Sequence, residues 1–216
     1  MKHLFLEGPI QTGKSTVIRE SLKPYMASAP CYTLEETQER YPVGGFASQR
    51  LVLAGTTYAF RIGPAMETPL TASLSQFLSL ESIEDSFRLH GVFKAFGITE
   101  DGKPYRDDSV FENLGVQYLQ DTAGRKLMLL DEIGGQEMEC EPFMNALYDL
   151  LAGDIPCIGV LKLQSNAGSS GSPLSERNEQ LRNRIIYEFD GEILYYERGD
   201  ESVRAIVESF IADALK

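Results

Sequence analysis

The stretch "MKHLFLEGPIQTGKSTVIRE" restricts the fold of this chain more than any other. Its residues Gly8-Pro9-Ile10-Gln11-Thr12-Gly13-Lys14-Ser15 satisfy every fixed position of the pattern G-x-x-x-x-G-K-[ST]. His3 to Leu6 reads as a short buried strand, and Lys14 to Leu22 as a helix ended by Pro24. Strand, glycine loop and helix is the order that a phosphate cradle requires. The glycines let the backbone curl so that its N–H groups point inward, and the helix N-terminus adds partial positive charge. In that frame Lys14 can reach the β- and γ-phosphates, Ser15 can ligate Mg²⁺ and Thr16 can donate to the α-phosphate.

The rest of the chain alternates buried strands with amphipathic helices. "GGFASQRLVLAGTTYAFRI" (44–62) predicts a β-hairpin turning at Ala54 and Gly55. Between Pro64 and Arg106 the pattern is weaker, with Phe77, Leu80, Ile83 and Phe87 at helix-like spacing. "DDSVFENLGVQYLQDTAG" predicts a helix capped by Asp108 or Ser109, with Phe111, Leu114 and Tyr118 on one face and Gly124 as its stop. "KLMLLDEI" is a continuous apolar strand of the kind covered on both faces. A helix from Pro142 to Gly153 follows, burying Phe143, Ala146, Leu147, Leu150 and Leu151, and then the strand "IPCIGVLK". "QSNAGSSGSP" reads as a mobile loop. After it come a helix from Leu174 to Arg184, strands at Ile185–Phe189 and Ile193–Tyr196, and a last helix capped at Asp200 that buries Val203, Ile206, Val207, Phe210 and Ile211. This order predicts an α/β fold built on a three-layer, mostly parallel sheet.

Charge and cysteine usage narrow the function classes. A formal net charge of -12 works against bulk nucleic-acid binding or an anionic membrane surface, so an anionic ligand needs a local positive site. Cys31, Cys140 and Cys157 are too far apart for a zinc motif and odd in number, which predicts reduced thiols. No stretch has the roughly 18 apolar residues of a membrane span, and the first apolar run is broken by Glu7 without a cleavage pattern. The expectation is a cytoplasmic protein.

A phosphate loop needs an acidic partner for its metal, and "LMLLDEIG" offers one at the end of a buried strand. Asp131 is the natural Mg²⁺ contact, direct or through an intervening group. Glu132 can accept a hydrogen bond from a water and aim it at the γ-phosphorus, a role that belongs to hydrolysis. "DEIG" also fits the D-x-x-G element of switch GTPases, but no guanine-reading Asn-Lys-x-Asp occurs in the chain.

These segments together resemble the THEP family of nucleoside-triphosphatases, whose acidic strand reads D-E-I-G-K-M-E before a helix with an early phenylalanine. Here the stretch is Asp131-Glu-Ile-Gly-Gly-Gln-Glu137, and Phe143 falls at the family's spacing. The hairpin is similar to the family's G-F-x-T-x-E-V-R segment, with Arg50 shifted from its arginine. Gly135 and Gln136 stand where the family has Lys and Met. The resemblance implies a P-loop NTPase (RecA-like) fold with an added β-hairpin, and a length of 216 residues predicts a single domain over residues 1–216. It also implies slow Mg²⁺-dependent hydrolysis of several nucleoside triphosphates to diphosphate and phosphate, with low base specificity.

An arginine meeting the developing charge accelerates phosphoryl transfer about 10³ to 10⁵-fold, so its source matters. Arg177 and Arg184 share a helical face after the glycine and serine stretch and could close as a lid; Arg50 is a further candidate. A small-molecule or nucleotide kinase using that lid is one alternative to hydrolysis. A nucleotide-gated adaptor, in which triphosphate orders residues 64–106 for a protein partner that the sequence does not identify, is another. His3 and His90 have no ligand-spaced companions and read as structural.

Overall fold

Neighbouring residues of the central strands are buried on both sides, which requires helices over each face of the sheet. The computed structural model describes residues 1–26, 42–53, 56–65, 75–77, 89–90 and 109–216. The strands are β1 (His3–Glu7), β2 (Val43–Leu53), β3 (Thr56–Pro64), β4 (Ser75–Phe77), β5 (Leu89–His90), β6 (Leu127–Ile133), β7 (Cys157–Leu161) and β8 (Gly191–Tyr195). The helices are α1 (Lys14–Met26), α2 (Val116–Gln120), α3 (Glu141–Ala152), α4 (Gln164–Ala167), α5 (Pro173–Tyr187) and α6 (Glu201–Ala214).

The sheet runs β5-β3-β2-β6-β7-β1-β8, with β4 also paired to β2. From β2 to β8 all neighbours are parallel, while β3 turns back antiparallel on β2. The expected hairpin is therefore present, Leu53 pairing with Thr56, and its link at 54–55 lies outside the described residues. Leu4, Leu6, Leu127, Leu129, Ile158 and Val160 pack with Val17, Ile18 and Leu22 of α1 and Val203 and Val207 of α6. Phe5, Met128, Leu130 and Leu161 pack on the other face with Phe143 and Leu147 of α3 and Leu181 and Ile185 of α5. Each such side chain, fully buried, contributes roughly 1.5–3 kcal/mol. The three layers and the mostly parallel sheet agree with the sequence reading.

Several local expectations are corrected. Pro24 does not end α1 but lies inside it, on the exposed face with Glu20, whose carbonyl can receive no hydrogen bond from the proline nitrogen. The helix before β6 runs through Ser109 and Val110 into a π turn at Phe111–Gly115 and stops at Gln120. The wider turn moves the buried stripe to Phe111, Gly115 and Leu119, leaving Leu114 and Tyr118 half-buried. Gly124, at φ +74°, falls beyond the helix, in the turn that leads to β6. Phe77 belongs to the strand β4, paired with Val52; Leu80, Ile83 and Phe87 lie outside the described residues, as do Asp108 and Cys31.

"QSNAGSSGSP" is more ordered than a loop: Gln164–Ala167 forms one helical turn with Ala167 buried, and the Ser172 hydroxyl accepts from Ser175 N at 3.2 Å to cap α5. Ile185–Tyr187, expected as strand, continues α5, because Leu181 and Ile185 form a fully buried i, i+4 pair that outweighs β-branched propensity. Asp200 caps α6 as expected, accepting from Ser202 N and Val203 N, but Ile206 is exposed.

His3 is fully buried and structural. Its Nδ1 accepts from Cys157 N–H at 3.0 Å, which leaves Nε2 to donate to Leu151 O, also at 3.0 Å. Burial lowers its pKa from 6.5 to about 4, so the unfolded chain binds more protons across that interval. Stability is complete above pH 6.5 and should fall by on the order of 3 kcal/mol as pH drops to about 4. Urea midpoints across this range should show that limb in the wild type and its loss in His3→Gln; parallel curves would contradict the assignment.

Candidate active site

The loop between β1 and α1 takes its shape from its two glycines. Gly8 has φ +142°, and a Cβ there would lie 2.5 Å from Tyr196 O; Gly13 has φ +96°. Gln11 also adopts positive φ, at 63°. Val17 N donates to Gly13 O at 2.9 Å, so the helix starts directly from the loop and its first N–H groups face the curled backbone. Lys14 is buried, and its Nζ donates to Gly8 O at 3.0 Å, Pro9 O at 2.6 Å and Thr12 Oγ1 at 3.4 Å. Burial lowers its pKa, against the opposing pull of Glu132, Asp131 and Glu7. Ile10 is exposed at the tip of the loop, and Thr16 is exposed on the first turn of α1.

Because β7 stands between β1 and β6, the phosphate loop and the acidic strand are two strands apart, and α1 lies over β7 to bridge them. Ser15 and Arg19, one helical turn apart, meet the same carboxylate: Ser15 Oγ donates to Asp131 Oδ1 at 2.6 Å and Arg19 Nη2 to Asp131 Oδ2 at 2.8 Å. Arg19 and Asp131 are both buried. Removing one partner of such a pair typically costs about 3–5 kcal/mol.

Glu132 opens into the cleft, where the surrounding protein raises its pKa; Lys162 and Lys14 pull the other way. The turn after it is held by Glu137, a buried carboxylate whose Oε1 accepts from Gly134 N at 2.5 Å and Gly135 N at 2.7 Å. The same cleft is lined by Gly8, Gln11, Thr12, Gly13, Lys14, Ser15, Asp131 and Glu132, and by Arg50 and Lys162. In a chain of net charge -12 this is a local concentration of cations beside a backbone nest.

Of the arginines singled out in the sequence, Arg50 lines the cleft, its guanidinium 5.9 Å from the Phe60 ring centre. Arg177 instead donates to Met138 O at 2.6 Å. Arg184 lies 3.8 Å over the Tyr148 ring and pairs with Glu188, away from the cleft. Arg19, Lys162 and Arg182, which pairs with Glu7 at the end of β1, were not visible as site residues in the sequence. Arg19 carried a signal in its position one turn after Ser15; the other two depend on contacts between distant segments.

Among the described residues no cluster of three or more His, Cys, Asp or Glu could hold a metal. The donors present are a hydroxyl and a carboxylate joined by a short hydrogen bond, a set suited to a hard cation that keeps waters and phosphate oxygens as its other ligands.

A family model described as NTPase matches residues 3–190. The chain belongs to this NTPase family. Its enzyme class is accordingly nucleoside-triphosphatase, and nucleoside triphosphate is the substrate that the NTPase family implies. The crystal structure of THEP1 from the hyperthermophile Aquifex aeolicus is similar in fold, with a TM-score of 0.57 at 14% identity over 100% of each chain. None of the curated proteins matches the chain. No helix among the described residues of this NTPase is long and apolar enough to cross a membrane.

Proposed function

We propose that the protein hydrolyses nucleoside triphosphates to diphosphate and phosphate with Mg²⁺ and with little preference among bases. The observation that carries this reading is the 2.6 Å hydrogen bond from Ser15 Oγ to Asp131 Oδ1, which joins the phosphate loop to the acidic strand and leaves the neighbouring Glu132 open to the cleft. The backbone from Gly8 to Gly13 and the N-terminus of α1 hold the phosphates, and Lys14 exchanges its loop carbonyls for phosphate oxygens. Ser15 and Asp131 would hold Mg²⁺, which neutralises charge on the phosphate oxygens. Glu132 accepts a hydrogen bond from water. As the water oxygen bonds to the γ-phosphorus, the bond to the bridging oxygen breaks, the electron pair leaves on the diphosphate, and the water's proton passes to Glu132.

The low base preference rests on the resemblance, together with the phosphate-directed character of the cleft. A lid-bearing kinase would require Arg177 to leave Met138 O and Arg184 to leave the Tyr148 ring and Glu188. Phosphate release should be measured from ATP, GTP, CTP and UTP with Mg²⁺ and with EDTA. Release from all four, abolished by EDTA, is expected, and Lys14→Ala should weaken triphosphate binding roughly 10 to 100-fold through loss of charge-assisted hydrogen bonds. Tight triphosphate binding without release would overturn the proposal.

A further inference from the structure

Lys162 follows the last residue of β7, the strand between β1 and β6, and so emerges between the phosphate loop and the acidic pair. Its backbone is held on both sides: the N–H donates to Ile133 O at 2.8 Å, and the carbonyl accepts from Asn178 Nδ2 at 3.1 Å. The side chain is half-buried and lines the cleft with Lys14, Ser15, Asp131 and Glu132. Among the described residues the ammonium makes no hydrogen bond or ion pair. Of the charges near Glu132, that of Lys162 acts on it most strongly.

Residue 135 explains how this lysine fits. A Cβ on Gly135 would lie 3.0 Å from Lys162 Nζ and 3.1 Å from Glu137 Oε2. Gly135 stands where the D-E-I-G-K-M-E motif has its lysine, so the chain lacks a side chain at the place that the ammonium of Lys162 now borders. One cation is missing from the turn after β6, and another reaches the same space from the end of β7.

We infer that Lys162 is a catalytic residue of the hydrolysis proposed above, and the inference rests on that reading. Its ammonium binds the γ-phosphoryl oxygens and stabilises the charge that develops there as the bond to the bridging oxygen breaks. It thereby supplies from within the chain the positive charge that an arginine contributes in other phosphoryl-transfer sites. Arg50, which among the described residues also lines the cleft, lies on the hairpin beside Phe60, whereas Lys162 neighbours the residue assigned to water.

The test compares wild type, Lys162→Met and Lys162→Arg in two measurements. One is kcat at saturating ATP. The other is the ratio of dissociation constants for ADP and a non-hydrolysable ATP analogue, which needs no turnover. Lys162→Met is expected to lower kcat about a hundredfold. It should also reduce the preference for the triphosphate analogue about tenfold, with ADP affinity and Tm unchanged. Lys162→Arg should restore most of both. Wild-type kcat and preference in Lys162→Met, or equal loss of affinity for ADP and the analogue, would overturn the assignment. A wild type that does not hydrolyse ATP would defeat the hydrolytic reading and the catalytic role together. The affinity ratio would still decide whether Lys162 meets the γ-phosphate.

Discussion

Glu132→Gln is expected to lower the turnover of triphosphate hydrolysis about 10³-fold while leaving nucleotide affinity nearly unchanged. Glutamine keeps the size and one acceptor oxygen of the side chain but cannot take the water's proton. Its amide can also present a donor to the water instead of an acceptor. Affinity should survive because the phosphate loop, Lys14 and the Ser15–Asp131 link are untouched. The neighbouring acid cannot take over, since Glu137 is buried with its Oε1 bonded to Gly134 and Gly135 N–H. Single-turnover kinetics with bound nucleotide would read the effect directly. Hydrolysis at the wild-type rate in Glu132→Gln would remove Glu132 from the chemistry.

Phe143→Ala should destabilise the fold by about 3–5 kcal/mol. The ring is fully buried and meets Phe46 edge-on at 5.8 Å and Phe111 at 5.7 Å, so it joins α3 to β2 and to the π turn before α2. Each aromatic pair adds about 0.5–1.5 kcal/mol beyond area burial. Gly115 is part of the same fit, because a Cβ there would lie 2.8 Å from Phe143 Cδ2. The melting temperature should drop by roughly 10 °C for a chain of this size. In the Phe143→Ala background, Gly115→Ala should cost much less than it does in the wild type. Additive losses in that cycle would mean that the two positions do not share one packed site.

The parts of the molecule legible in the sequence were those whose cause is local. The phosphate loop shows itself through glycine spacing, β6 and β7 through unbroken apolar runs, α3 through its period, and the start of α6 through the Asp200 cap. The misreadings arose where tertiary packing overruled a local cue. Ile185 and Ile186 favour strand by propensity, yet the burial of Ile185 beneath Leu181 extends α5 through them. Pro24 reads locally as a helix stop, yet it sits inside α1 on the exposed face. In the site, Arg19 and Asp131 are separated by 112 residues, and Arg182 and Glu7 by 175. Apart from the position of Arg19 one helical turn after Ser15, nothing in the local sequence of either partner announces the other.

Helix α5 touches the chain where β1, β6 and β7 give way to the loops of the cleft. Arg182 pairs with Glu7, the residue before Gly8; Asn178 donates to Gly134 O at 2.9 Å and to Lys162 O at 3.1 Å; Arg177 reaches Met138 O. A helix fastened at all these points acts as a common tie bar. The loop that cradles phosphate, the turn behind Glu132 and the backbone of Lys162 therefore share one mechanical support.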